Sequence, residues 1–71
     1  MKKALKGQDV GTSLRVFRAK RHWTQAAAAE HFGISHSYWC LIEARKRIPR
    51  PTIAKRLSDE IGIPLDVLLF S

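Results

Sequence analysis

Histidine, cysteine and acidic side chains are where chemistry would lie in this 71-residue chain, and their spacing is poor. His36 and Cys40 stand four apart and would share one face of a helix. Zinc needs three or four converging ligands, and His22 and His31 fall in other segments, so no metal site is expected. There is no phosphate-binding glycine loop, no carboxylate pair at useful spacing and no serine with a recognisable base partner. Neither an enzyme nor a bound cofactor is expected. What remains is electrostatic. The formal charge is +7, with Arg45, Lys46, Arg47 and Arg50 in one cluster and Lys2, Lys3 and Lys6 in another, while Asp59, Glu60 and Asp66 gather towards the far end. A cation set against a phosphate releases condensed counterions, so this distribution points to a polyanion bound on one side.

The elements that would position the Arg45 cluster lie just before it. From Gln25 to Ala44, Ala28, Ala29 and Phe32 line one helical face, Gly33 breaks the helix, and Ile34, Trp39 and Ile42 line the next. This pattern is a helix-turn-helix. Thr24 and Ser35 are placed to cap the two helices, and Gly33 falls where the turn needs a positive φ.

Thr24-Gln25, Ala29, Gly33, Ile34-Ser35, Ile42-Glu43 and Pro49 resemble the Xre-type family of phage repressors and Cro proteins. Leu14, Phe17 and Arg18 upstream, and Leu57, Ile61-Gly62-Ile63 and Leu65-Asp66-Val67-Leu68 downstream, are similar to that family's other helices. The resemblance covers roughly 10–70. It implies an all-α, five-helix lambda repressor-like fold that binds double-stranded DNA, with helix 3, from about His36 to Ala44, in the major groove. The DNA-facing residues it implies are Gln25, Ser35, His36, Ser37, Tyr38 and Leu41, with Arg45, Lys46, Arg47 and Arg50 on flanking phosphates. Gln25 would hold a phosphate and orient its neighbours. His36 and Ser37 can bond base edges, whereas Leu41 at best reads a thymine methyl. The resemblance also implies a structural ion pair between Arg18 and Glu43, tying helix 1 to the end of helix 3.

Four residues, Trp23, Ala28, Trp39 and Arg45, depart from the family pattern. Ala28 stands where a leucine is usual and Trp39 where an isoleucine or valine is usual; in a close-packed interior the two are expected to compensate. Arg45 replaces the usual glycine after helix 3, so either another residue ends that helix or Arg45 accepts a strained conformation. Trp23 is expected to act as a staple on the start of helix 2.

Residues 1–9 read as a flexible basic arm, which either reaches DNA or is a solvated tail, and 10–71 as the helix-turn-helix domain. Helix 1 should run from about Thr12 to Arg21, with Leu14 and Phe17 inward. Helix 4 should start at Pro51, bury Ile53, Ala54, Leu57 and Ile61, and end at Gly62. Helix 5 is short yet holds Leu65, Val67, Leu68, Leu69 and Phe70, more apolar side chains than one stripe can bury. Leu65, Leu69 and Phe70 are therefore the expected homodimer interface. No run reaches the roughly 20 apolar residues of a membrane span, and a single cysteine fits a reducing compartment, so a cytoplasmic location is expected. A sequence-specific regulator, most simply a repressor on a palindromic operator, is the leading reading. An antitoxin or restriction-system controller of the same fold, with a toxin or other regulator as partner, and a protein-interaction module on the same scaffold remain open.

Overall fold

The amphipathic segments form five helices: α1 (Asp9–Arg21), α2 (Gln25–Phe32), α3 (His36–Glu43), α4 (Pro51–Ile61) and α5 (Leu65–Phe70). The computed structural model describes residues 9–70, the side chains of Asp9 and Phe70 excepted, so the basic arm lies outside the described residues but for Asp9. The chain is all-α, with no strand among the described residues. No helix there is long and apolar enough to cross a membrane.

Local chemistry sets the ends. The Thr24 hydroxyl accepts from the Ala27 N–H and the Ser35 hydroxyl from the Tyr38 N–H, each at 3.0 Å, so both expected caps form. Gly33 takes φ 73°, as the turn requires. The Gly33 N–H then reaches the Glu30 carbonyl and the Ile34 N–H the Ala29 carbonyl, satisfying two carbonyls that the helix end would leave bare. The same paired closure ends α1 through His22, φ 58°, and α3 through Arg45, φ 64°. Arg45 therefore adopts the left-handed backbone itself, with Lys46 donating to the Leu41 carbonyl at 2.8 Å. Pro51 opens α4 and Gly62 closes it, both as expected.

The core gathers Val10, Leu14 and Phe17 from α1, Ala28, Ala29 and Phe32 from α2, Trp39 and Ile42 from α3, Ile53, Ala54 and Leu57 from α4, then Ile63 and Leu68. Trp39 is fully buried, its indole stacked on Phe32 at 5.7 Å with 11° between planes. Ala28 is fully buried in the same cluster. Trp23 follows the left-handed His22 and directly precedes Thr24, the cap of α2. Its ring packs edge-on against Phe17 at 5.9 Å and beside His31, in the last turn of α2, at 4.9 Å. The left-handed step at His22 directs it there, because the closing Trp23 N–H bond to the Arg18 carbonyl folds the chain back over α1.

Helix α1 begins about three residues before Thr12. The extra turn contains Gly11, a poor helix former, and tertiary packing explains it: a Cβ built there would stand 2.5 Å from the Glu43 carbonyl oxygen. Only glycine lets the first turn of α1 lie this close to the end of α3.

Candidate nucleic-acid interface

The Glu43 carboxylate, in the last turn of α3, is buried with its side chain 5% exposed. A buried charge must be paired and hydrogen-bonded to persist, and this one accepts four bonds. Arg18 Nε and Trp39 Nε1 meet Oε2 at 2.8 and 2.9 Å; Arg18 Nη2 and Gln25 Nε2 both meet Oε1 at 2.9 Å. Burial pushes the Glu43 carboxyl up, but bonds from Arg18, Gln25 and Trp39 outweigh it and hold the group below its ordinary value. The same bond, against the cost of burial, raises the Arg18 guanidinium above its ordinary value. Arg18 Nη1 also donates to the Trp23 carbonyl at 3.2 Å, so one guanidinium joins α1, the following turn and α3. The pair expected between Arg18 and Glu43 is thus present in bidentate form.

Two members of this network escaped sequence reasoning. The Trp39 indole N–H was one, although Trp39 and Glu43 are four apart on one helix, a spacing legible without a structure. The Cys40 thiol was the other: it donates to Gln25 Oε1 at 3.3 Å. Gln25 is thereby held at its carbonyl by Cys40 and at its nitrogen by Glu43, with a second amide hydrogen left over.

Beyond this buried layer α3 turns a mixed face outward. His36, Ser37, Leu41 and Ala44 are exposed, and Cys40 and Gln25 are half-buried at its margin. Ser35 is also exposed, but its hydroxyl already serves as a cap. Tyr38 is half-buried, and its hydroxyl accepts the Arg50 backbone N–H at 2.8 Å, with the Arg50 guanidinium 5.0 Å from the ring centroid. Tyr38 therefore braces the start of α4 against α3. Arg45, Lys46, Arg47 and Arg50 are all exposed, next to the C-terminal end of α3. The expected residues on α3 and in the segment after it are exposed or half-buried, with Gln25 and Tyr38 also engaged inside the protein.

A second polar cluster pins α2 to α4. Arg56 donates to the His31 and Phe32 carbonyls at 3.2 Å, neutralising the negative end of α2, and Glu60 bonds both Arg56 and His31. The His31 bond comes first among the causes that hold the Glu60 carboxyl below its ordinary value. On α5, Leu65 is 38% exposed, Leu68 is buried, and Leu69 is half-buried against the core. The side chain of Phe70 lies outside the described residues. No group of three or more metal-binding side chains occurs among the described residues.

Two short capped helices joined through a left-handed glycine, the second exposed and ending in a basic cluster, define a helix-turn-helix fold of the DNA-binding class. The family described as helix-turn-helix domain matches residues 9–69, and the chain belongs to it, in its Xre and Cro-like kind. No curated protein and no solved structure matches the chain.

Proposed function

We propose that this chain is a cytoplasmic, sequence-specific transcriptional regulator, acting as a repressor, that binds a palindromic operator as a homodimer. The observation that carries the reading is the exposed α3 face of His36, Ser37 and Leu41 with Arg45, Lys46, Arg47 and Arg50 set beside it. A helix of this width enters a major groove, where its polar side chains meet base edges while the flanking cations meet phosphates. Gln25 contributes a phosphate contact through its remaining amide hydrogen. With one apolar and two small polar readers, direct base contacts are few and the phosphate contribution is large.

The dimer is assigned to α5, through Leu65, Leu69 and Phe70. Exposed Leu65 at 38% supports this surface. A two-fold axis there sets two copies of α3 on one DNA face, in successive major-groove turns about 34 Å apart. Occupying a promoter in this way suffices for repression. Residues 10–71 act as the DNA-binding domain, and no catalytic step is assigned to it.

The test is selection of duplexes from a random pool, followed by titration at several salt concentrations. A recovered palindrome whose affinity falls steeply with salt is expected. Failure to enrich any sequence refutes the reading and favours a module that binds protein through α3.

A further inference from the structure

We propose that Trp39, which is fully buried and which no duplex can touch, is a positioning residue for DNA binding: its indole N–H fixes Glu43, and Glu43 with Cys40 fixes the Gln25 amide at the margin of the recognition face. This inference rests on the DNA-binding reading of that face.

The geometry runs outward in three steps. Trp39 is 0% exposed, clamped against Phe32 by stacking, and its Nε1 reaches Glu43 Oε2 at 2.9 Å. An indole has one donor and no acceptor, so its only polar atom is committed to this carboxylate. Arg18 approaches the carboxylate along its long edge with Nε and Nη2, and Trp39 meets Oε2 as a further donor. That donor comes from a rigid ring locked in the core, whereas Arg18 is a long side chain 19% exposed. The carboxylate plane is therefore set from the inside by Trp39.

The outer oxygen, Oε1, receives Gln25 Nε2 at 2.9 Å. Cys40, next to Trp39 in the chain, holds the other end of the amide through its thiol at 3.3 Å from Oε1 of Gln25. With Glu43 an acceptor and the thiol a donor, the amide has one satisfied orientation, and reversing it would set an oxygen against a carboxylate. A free glutamine samples many rotamers; this one is ordered before DNA arrives, so binding loses less side-chain entropy. Without the indole N–H, Oε2 of Glu43 keeps only its bond from Arg18 Nε, and the buried carboxylate loses one of its four donors.

The experiment uses the full chain and the duplex recovered by selection. Trp39→Phe keeps an aromatic ring on Phe32 and removes the donor. A second variant carries benzothienylalanine at position 39, an isostere of tryptophan without the N–H, and guards against loss of fold through lost volume. Affinity is measured for each, alone and combined with Gln25→Ala, at a temperature where urea titration shows every variant folded. Gln25→Ala is expected to lose about tenfold, as for one hydrogen bond to a charged group. Each position-39 variant should lose about threefold to tenfold, equally on specific and unrelated duplexes. Either one combined with Gln25→Ala should lose no more than Gln25→Ala alone. The Gln25 side-chain amide protons should be well dispersed in the parent's nuclear magnetic resonance spectrum and should collapse towards the free-glutamine position in the position-39 variants.

A merely structural tryptophan would lower the urea midpoint and leave affinity and the Gln25 resonances unmoved; that result overturns the proposal. Losses that multiply in the double variants also overturn it, since Trp39 would then act by another route. A parent chain that binds no duplex refutes the DNA reading itself, whereas a parent that binds with unchanged position-39 variants refutes only the role of Trp39.

Discussion

Gly11→Ala sets two physical rules against each other. Within a helix, alanine is favoured over glycine by about 1 kcal/mol, so propensity alone predicts a more stable protein. The packing predicts the reverse. The new Cβ would stand 2.5 Å from the Glu43 carbonyl oxygen, and α1 would have to retreat by about 0.9 Å to reach the 3.4 Å of ordinary contact. The obstacle is backbone at the end of α3, not the tip of a flexible side chain. Helix α1 also carries Arg18, whose 2.8 and 2.9 Å bonds to Glu43 have little slack, and Val10 and Leu14, which are buried. Overpacking of this kind costs about 1–3 kcal/mol, and subtracting the helical gain leaves a net loss of up to about 2 kcal/mol. Urea unfolding of parent and variant, followed by far-ultraviolet circular dichroism, measures it. A midpoint equal to or above the parent's would show that the approach of α1 to α3 is softer than this geometry requires.

Acid should weaken the fold through Glu43. Its folded-state value is lowered, so its stabilisation is complete above the unfolded-chain value, near pH 4, and is lost as pH falls through the folded value; Glu43→Gln should flatten urea midpoints measured across that window. Glu60 titrates in the same sense, but it is exposed and its share is small. Trp39→Ala should cost about 3–5 kcal/mol, and Ala28→Leu alone should overpack, while Ala28→Leu with Trp39→Ile should recover part of the loss; strict additivity would show that the two residues do not share space. Arg47→Ala should weaken all duplexes alike and flatten the salt slope by about one unit, whereas His36→Ala should relax preference at one base pair by about 1–3 kcal/mol in competitive binding. Leu65→Glu, at the exposed position of α5, should leave half-site binding intact and weaken cooperative binding to a full palindrome, read by sedimentation and duplex titration; unchanged cooperativity places the dimer contact elsewhere.

The frame was legible because it depends on local rules. Thr24, Gly33, Ser35, Pro51 and Gly62 each announce a helix end by a requirement of their own backbone or side chain. The apolar spacing of Phe32, Ile42 and Leu57 shows which faces meet. The Arg18–Glu43 pair, 25 residues apart, came from family resemblance and not from spacing. What stayed hidden depends on approach distances that no periodicity encodes. Gly11 looks like a reason to start α1 later until the Glu43 carbonyl is seen beside it. Trp39 was read as volume alone, while its one polar atom finds the carboxylate four residues on. Tyr38, DNA-facing by the resemblance, also has a hydroxyl engaged with the backbone of Arg50, a bond between positions twelve apart that no spacing rule marks.

Arg45 carries two duties on one set of atoms. Its backbone, at φ 64°, performs the left-handed step that ends α3, and its side chain adds a cation to the basic cluster. Glycine would relax the turn and delete the charge, while an uncharged residue other than glycine keeps the strain without the cation. Fold stability and hold on a polyanion therefore pull this position in opposite directions. Selection for tighter binding retains the arginine, selection for a sturdier fold removes it, and drift at position 45 should track which of the two demands is the stronger.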